Sequence, residues 1–326
     1  MRKLARRQFL RLASASALAP ISPRAVWAQA YPSRPIKFIV PFPAGGTTDL
    51  LARILSQPLA EKLGQQIVVE NKPGGGTNIA MSQAVNSPPD GYTLVMTLAT
   101  STINPSLYKS LPFDFARDII PVSGLAELPL VIDMNKDVPA KNLAEFIAYC
   151  KANPGKVSFA SFGARTISHL TIELLKHSSG IDVVHVPYPG GAPMLTDMIT
   201  GRIQAGVDAL PNSLPHIRSG AVRALAVMSP GRNPAVPDVP SASETIKGLE
   251  VSAWTGIGVP RGTPAEIVER LNKEINAGLD SATVRNRYAD VGAVPLLMSP
   301  AEAKKRVADD VVKWAQIVEQ AGLKKE

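Results

Sequence analysis

Short β-rich runs alternate with amphipathic helical segments along most of this chain, and glycine or small polar residues stand where each run ends. That order admits few folds. Strand, helix, strand in succession points to α/β architecture, with mostly parallel sheets flanked by helices. Residues 36–40 read as a first strand and 49–63 as a helix. That helix carries Leu50, Leu51, Ile54, Leu55 and Leu59 on one side and a kink at Pro58. Residues 67–69 are the second strand, Gly74, Gly75 and Gly76 lead into a helix from Asn78, and 92–97 are the third strand.

A second such series starts at residues 130–132. Asn142 and Glu145 have capping-box spacing for a helix ending near Asn153. Further strands are expected at 157–160, 183–186, 203–207 and 224–228. Helices are expected at 166–178, with Ile167, Leu170, Leu174 and Leu175 inward, and at 193–200, with Pro193 at the first position. Residues 229–247 read as a surface connection. Thr263 with Glu266, and Ser299 with Glu302, have capping-box spacing around Pro264 and Pro300. The last helix is expected to bury Val307, Val311, Trp314 and Val318. Two capped helices without new strands cannot make a third domain. Domain one is therefore expected to be discontinuous, 31–124 plus 231–326, with domain two, 125–230, inserted into it.

The N-terminus has a different character. Residues 1–30 hold six basic residues, no acid, and the run Arg6-Arg7-Gln8-Phe9-Leu10-Arg11, the twin-arginine pattern of bacterial export signals. An apolar stretch and small-residue cleavage options at Ala28 and Ala30 follow, so a mature protein in the periplasm is expected. The formal net charge of +8 belongs largely to this segment: of 35 Lys and Arg residues 29 remain against 27 acids. The nearly neutral body gives no electrostatic case for nucleic acid. Nothing later in the chain approaches a membrane span. The single cysteine, Cys150, lies on the Leu143, Phe146, Ile147 helix face and can form no intramolecular disulfide.

Five segments follow strands and carry candidate chemistry: 41–49, 74–78, 99–104, 161–169 and 188–192. In open α/β sheets ligands bind beyond the carboxyl ends of the strands. A helix N-terminus there offers unpaired N–H groups and favours negative charge. Gly45, Gly46, Thr47 and Thr48 make a candidate carboxylate cradle, and Gly163, Thr166 and Ser168 a second. The same threonines, Asp49 and Ser168 are equally ordinary helix caps. Arg165 either pairs with a ligand carboxylate or projects into solvent. Asp208 either holds an ammonium or hydroxyl of a ligand or bonds a neighbouring loop. Tyr188 is a candidate to pack on a ligand, and His169 is either structural or a donor near one. No nucleophile elbow, P-loop, zincin or dinucleotide pattern occurs, and His169, His177, His185 and His216 lack metal-ligand spacing, so neither cofactor, metal nor catalysis is expected.

Several short motifs resemble one family in their shared order. They include Tyr31-Pro32-Ser33-Arg34-Pro35-Ile36, Pro41 through Asp49, Asn71-Lys72-Pro73-Gly74, Pro89-Asp90-Gly91-Tyr92 and Asn104 through Tyr108. His185-Val186-Pro187-Tyr188, Trp254-Thr255-Gly256 and Thr263-Pro264 follow. The chain resembles the periplasmic solute-binding proteins of tripartite tricarboxylate transporters, the Bug or TctC-like family. The resemblance implies a two-domain Venus-flytrap fold that grips a small organic anion, a carboxylate, in the interdomain cleft. It implies delivery to membrane transport subunits, and a monomer is expected. Carried over by position, the first-domain contacts are Phe42, Ala44, Gly45, Gly46, Thr47, Thr48 and Asp49, with Asn78 and Ser101. The second-domain contacts are Ser161, Gly163, Arg165, Thr166 and Ser168, with Gly190, Gly191 and Ala192. Family members often carry a glycine where Arg165 stands. An extracytoplasmic sensor and an exported α/β enzyme acting on a carboxylated metabolite are the alternative readings.

Overall fold

The computed structural model describes residues 31–320 and 325. The expected export signal and its cleavage sites lie outside the described residues. The first elements are β1 (Ile36–Val40), α1 (Thr47–Leu63), β2 (Ile67–Asn71), α2 (Asn78–Val85), β3 (Thr93–Leu98), α3 (Ala99–Leu107) and the single turn α4 (Phe115–Asp118). Then follow β4 (Ile119–Asn135), α5 (Leu143–Ala152), β5 (Ser158–Ser161), α6 (Ile167–Ser179), β6 (Val184–Pro187), α7 (Gly191–Ile199), β7 (Ala205–Ala209), α8 (Leu210–Arg218) and β8 (Val222–Val227). The chain closes with β9 (Ser252–Pro260), α9 (Ala265–Leu279), α10 (Ala282–Asp290), β10 (Val294–Pro295) and α11 (Pro300–Gln320).

The strands run in the order β2-β1-β3-β9-β4-β7-β5-β6, with β8 and β10 also paired to β4. Parallel triplets sit at both ends, β2-β1-β3 and β6-β5-β7. In each the first strand of the triplet is central and its successors flank it, so the carboxyl ends of β1, β3, β5 and β7 belong to two similar βαβαβ halves, here called lobes. Between them β9 and β4 run antiparallel to their neighbours. One long strand, β4, joins the lobes: residues 119–129 pair with β9 and 130–135 with β7 and β8.

Burial explains the element choice. Every residue of β3 is buried, as expected of a central strand covered on both faces. In α1, Leu51, Ile54, Leu55 and Leu59 recur at helical spacing and are buried, while Leu50 is half-buried. The C-terminal helices cover the first lobe. Gly278 of α9 faces Leu55 of α1, Tyr288 of α10 donates to the carbonyl of Leu51 at 3.1 Å, and Trp254 of β9 donates to Asp310 of α11.

Several local expectations need correction. The first helix starts at Thr47 rather than Asp49 and continues through Pro58, whose missing N–H interrupts it no further. The strand expected at 130–132 is the last third of β4. Helix α7 begins at Gly191, so Pro193 stands third, where a free N–H is likewise not required. The Thr263 box does not form: Thr263 Oγ1 donates to the carbonyl of Pro260 at 2.8 Å and Pro264 is the N-cap. The Ser299–Glu302 box does form, with Glu302 N donating to Ser299 Oγ and Ser299 N to Glu302 Oε2. The 229–247 connection holds one 3-10 turn, Ala242–Glu244, capped by Ser241. Val311 and Leu174 are half-buried, and the buried neighbour of Val311 is Asp310.

Candidate functional site

A cavity of about 90 Å³ lies between the lobes. One water needs roughly 10–15 Å³ on this measure, so the space admits several. The first lobe contributes Phe42, Pro43, Ala44, Gly46, Thr47 and Thr48 after β1, and Leu98, Ala99 and Thr100 after β3. The second contributes Phe162 and Ile167 after β5, Gly190, Gly191, Ala192 and Pro193 after β6, and Asp208, Ala209 and Asn212 at the end of β7. Leu128 and Leu130 of β4, with Ala253 and Trp254 of β9, complete the wall where the long strands cross.

Five helices begin at this wall, and none has a side-chain cap. Their N-caps are Gly46 (α1), Leu98 (α3), Thr166 (α6), Gly190 (α7) and Ala209 (α8). Remote from the cavity, Asn142 and Ser281 cap α5 and α10 with their side chains. The first-turn N–H groups of an uncapped helix have no partner within it. Thr47 and Thr48 add two hydroxyls, both buried and without a hydrogen-bond partner. Thr48 is 6% exposed, which makes the unanswered oxygen costly unless something else meets it.

The lobes touch across the cavity. Phe42 and Phe162 pack edge to face with centroids 5.7 Å apart. Ile167 N donates to Thr100 Oγ1 at 3.3 Å. The guanidinium of Arg165 lies 4.9 Å from the ring centroid of Tyr108. A Cβ on Gly190 would stand 3.3 Å from Pro43, so the loops meet without room between them.

Asp208 is the charged group of the wall, 2% exposed. Its Oδ1 accepts from Ala209 N at 2.8 Å, and its Oδ2 from Asn212 Nδ2 at 2.5 Å and from Ser213 Oγ at 3.4 Å. Ser213 also donates to Asp133, which is fully buried. Burial pushes the Asp208 carboxyl up to about 6, against the pull of its three donors. Asp133 is raised well above the carboxylate range by burial, opposed by Ser213, with the charge of Asp208 adding to the rise.

Half of the residues expected at the site stand on this wall: Phe42, Ala44, Gly46, Thr47, Thr48, Gly190, Gly191, Ala192 and Asp208. The other half lie off it, most of them with their polar atoms bonded within their own loop or to a neighbouring element. Gly45, at φ +83, donates to Asp49 Oδ2 at 3.0 Å and turns the chain into α1. Burial alone would raise the Asp49 carboxyl, but hydrogen bonds from Arg53 and Gly45 N outweigh it and hold it below its ordinary range. Asn78 accepts from Asn104, which also donates to the carbonyl of Gly76 and so ties the glycine turn to α3. Ser101 is buried within α3, its hydroxyl unpartnered. Ser161 Oγ is 2.7 Å from His185 Nε2, and Thr166 Oγ1 donates to the carbonyl of Gly163 at 2.7 Å. Ser168 Oγ donates to the carbonyl of Val207 at 2.7 Å.

Arg165, at φ +60, reaches Tyr108 instead of the cavity, and its N–H donates to His169 Nδ1 at 3.1 Å. His169 stacks on His185 with 3.9 Å between centroids. Tyr188 turns away to donate to Asp197. Sequence reasoning missed the contributors outside the five segments: Leu98, Leu128, Leu130, Pro193, Ala209, Asn212, Ala253 and Trp254. Only Trp254 had a signal, inside the motif Trp254-Thr255-Gly256.

Residues 51–323 match the family described as tripartite tricarboxylate transporter family receptor. The chain is 37% identical to protein BugT of Bordetella pertussis over 316 residues, which is 96% of this chain and 95% of BugT. Its fold superimposes on a structure of the periplasmic binding protein BugD with a TM-score of 0.88 at 35% identity, covering 91% of this chain and 100% of the other. A structure of R. palustris Rpa4515 with adipate gives a TM-score of 0.88 at 34% identity, with the same coverage of 91% and 100%. The chain belongs to the tripartite tricarboxylate transporter receptor family, the Bug or TctC-like solute-binding proteins, whose two-domain α/β members are periplasmic binding proteins rather than enzymes.

Proposed function

We propose that this protein captures a small carboxylate-bearing organic anion between its lobes and delivers it to the membrane subunits of a tripartite tricarboxylate-type transporter. The reading rests on one arrangement: uncapped helix N-termini, and Thr47 and Thr48 with their unpartnered hydroxyls, line one half-enclosed cavity. A micromolar complex needs about 8 kcal/mol. One helix terminus supplies about 0.3–1 kcal/mol when exposed and up to ~2 when partly buried. Donors from several elements must act together, which makes closure of the cleft part of binding. The domains in this reading are 31–124 plus 231–326 and 125–230, moving about β4 and the 228–251 connection. The relative crystallised with adipate supports a carboxylate as the guest. The protein acts as a monomer after export and removal of residues 1–30.

Calorimetry with carboxylates first found by thermal-shift screening, and with any acid released from natively purified protein, tests the reading. Gly46 has φ −82 and its nearest neighbour to a new Cβ is 3.5 Å away, so valine is tolerated by the backbone and enters the cavity. Gly46→Val and Thr48→Ala are expected to weaken binding about tenfold or more with little change in the melting of the ligand-free protein. Normal affinity in both variants refutes the site.

A further inference from the structure

The two sides of the cavity are electrostatically unlike. On the first-lobe side the N-termini of α1 and α3 and the hydroxyls of Thr47 and Thr48 are unanswered. On the second-lobe side the protein supplies its own anion. Asp208 accepts from Ala209 N at the start of α8. The start of α7 is pressed on the same carboxylate: a Cβ on Gly191 would fall 2.5 Å from Asp208 Oδ1 and 2.7 Å from Oδ2. Two of the three second-lobe helix dipoles at the wall, those of α7 and α8, therefore already face a negative charge, while α6 starts at Ile167, whose N–H is taken by Thr100 Oγ1. Among the described residues no ion pair neutralises it. Between the two ends the wall is carbon: Leu98, Leu130, Phe162, Ile167 and Trp254.

We propose that Asp208 determines specificity, so that the guest enters with one carboxylate toward α1 and α3 and presents a hydrogen-bond donor, not a second carboxylate, to Asp208. The inference rests on the carboxylate reading above. A hydroxyl, amide or ammonium at the far end fills the remaining acceptor capacity of the Asp208 oxygens. A second carboxylate there meets a like charge in a half-enclosed, largely apolar space, where repulsion is less screened than in bulk water. Discrimination of this kind works by rejecting the wrong partner, and needs no additional contact to the right one.

Isosteric pairs test it: succinate against succinamate, glutarate against glutaramate, adipate against adipamate. Each pair differs only in a terminal carboxylate or amide. Calorimetry at about pH 7.5 keeps Asp208 and the acids ionised. The expected result is that the half-amide of the best-fitting length binds at least roughly tenfold more tightly than its diacid. Asp208→Asn is expected to bring that ratio to near one or reverse it, while Gly46→Val weakens both members of the pair alike. A wild-type protein that prefers the diacid or does not discriminate overturns the inference and leaves carboxylate capture standing, as does an unchanged ratio in Asp208→Asn. If no acid of either kind binds and the co-purified guest bears no carboxylate, both readings fall. Should Asp208→Asn not fold, the wild-type ratio alone decides.

Discussion

Phe42 and Phe162, one from each lobe, meet edge to face with 5.7 Å between their ring centroids, and both belong to the cavity wall. Each follows the carboxyl end of a central parallel strand, β1 or β5, so equivalent positions of the two halves supply the two rings. An aromatic pair of this geometry contributes about 0.5–1.5 kcal/mol beyond its area. In the closed form that energy opposes opening. Phe42→Ala and Phe162→Ala are each expected to weaken ligand binding roughly threefold to tenfold. A double-mutant cycle by calorimetry, with coupling of about 0.5–1.5 kcal/mol, checks that the rings act on each other. Strictly additive losses would show that each ring acts separately.

Arg165 holds a left-handed backbone at φ +60 and places its guanidinium over Tyr108 of the first lobe. An arginine there carries steric cost that glycine does not. The cation–π contact returns about 0.5–1 kcal/mol, and only when the lobes are together. Arg165→Gly is therefore expected to leave the unfolding free energy within about 1 kcal/mol of the parent. It should also shift the ligand-free protein toward a more open form. Small-angle scattering reads the shift as a larger radius of gyration without ligand and an unchanged one with it. Tyr108→Leu should do the same; scattering profiles unchanged in both variants would remove the latch.

Local signals made the two parallel triplets legible. The runs at β1, β2 and β3 stand between glycine-rich exits, and Asn142 and Ser299 mark helix starts that the structure keeps. The long strand was not legible. Pro121, Gly124 and Pro129 break the β pattern of β4, and its register against β9 slips at 121–123 and 124–126. No local pattern reports that a strand serves two lobes. The same reason hid the part of the cavity wall that the long strands supply. Leu128, Leu130, Ala253 and Trp254 look like ordinary core residues, and only the crossing of β4 and β9 turns them toward a ligand space. Conversely, Asn78 and Ser161 looked free because their partners, Asn104 and His185, are brought to them by folding.

Gly124 gives that strand a measurable consequence. A Cβ at this position would collide with the backbone carbonyl of Leu296, beside the short antiparallel pairing of β10 with β4. Backbone cannot step aside as a side chain can. Gly124→Ala is expected to destabilise the protein by about 1–3 kcal/mol through overpacking, with ligand affinity near that of the parent. Urea denaturation and calorimetry on the same sample check the two parts. A stability equal to the parent would mean that the 294–298 segment is free to move off β4.

Asp208 also makes stability depend on pH in an unusual direction. Its carboxyl is raised by burial from an ordinary 3.8 to about 6 in the folded protein. Above pH 6 the folded state bears the full cost of the buried charge. As pH falls from about 6 to about 4, the folded protein takes up a proton before the unfolded chain does, so this group adds stability, on the order of 3 kcal/mol. Asp133, raised by the same burial, acts in the same sense. Glu173 opposes them: although its burial favours the neutral form, bonds to His169 and Lys176 hold it at about 2, and its contribution is lost as pH falls below its ordinary 4.5. His185 opposes the aspartates in the same range: burial lowers its imidazole from an ordinary 6.5 to about 4, so the unfolded chain takes up that proton first and stability is lost between about pH 6.5 and pH 4. The contribution of Asp208 is therefore read as a difference: between about pH 7 and pH 4.5 the parent is expected to gain stability relative to Asp208→Asn, and below about pH 4.5 both lose it together. Urea midpoints of the two proteins at intervals from pH 7.5 to pH 3.5 read the difference, and parallel curves from pH 7 to pH 4.5 would show that Asp208 is ionised without penalty where it stands.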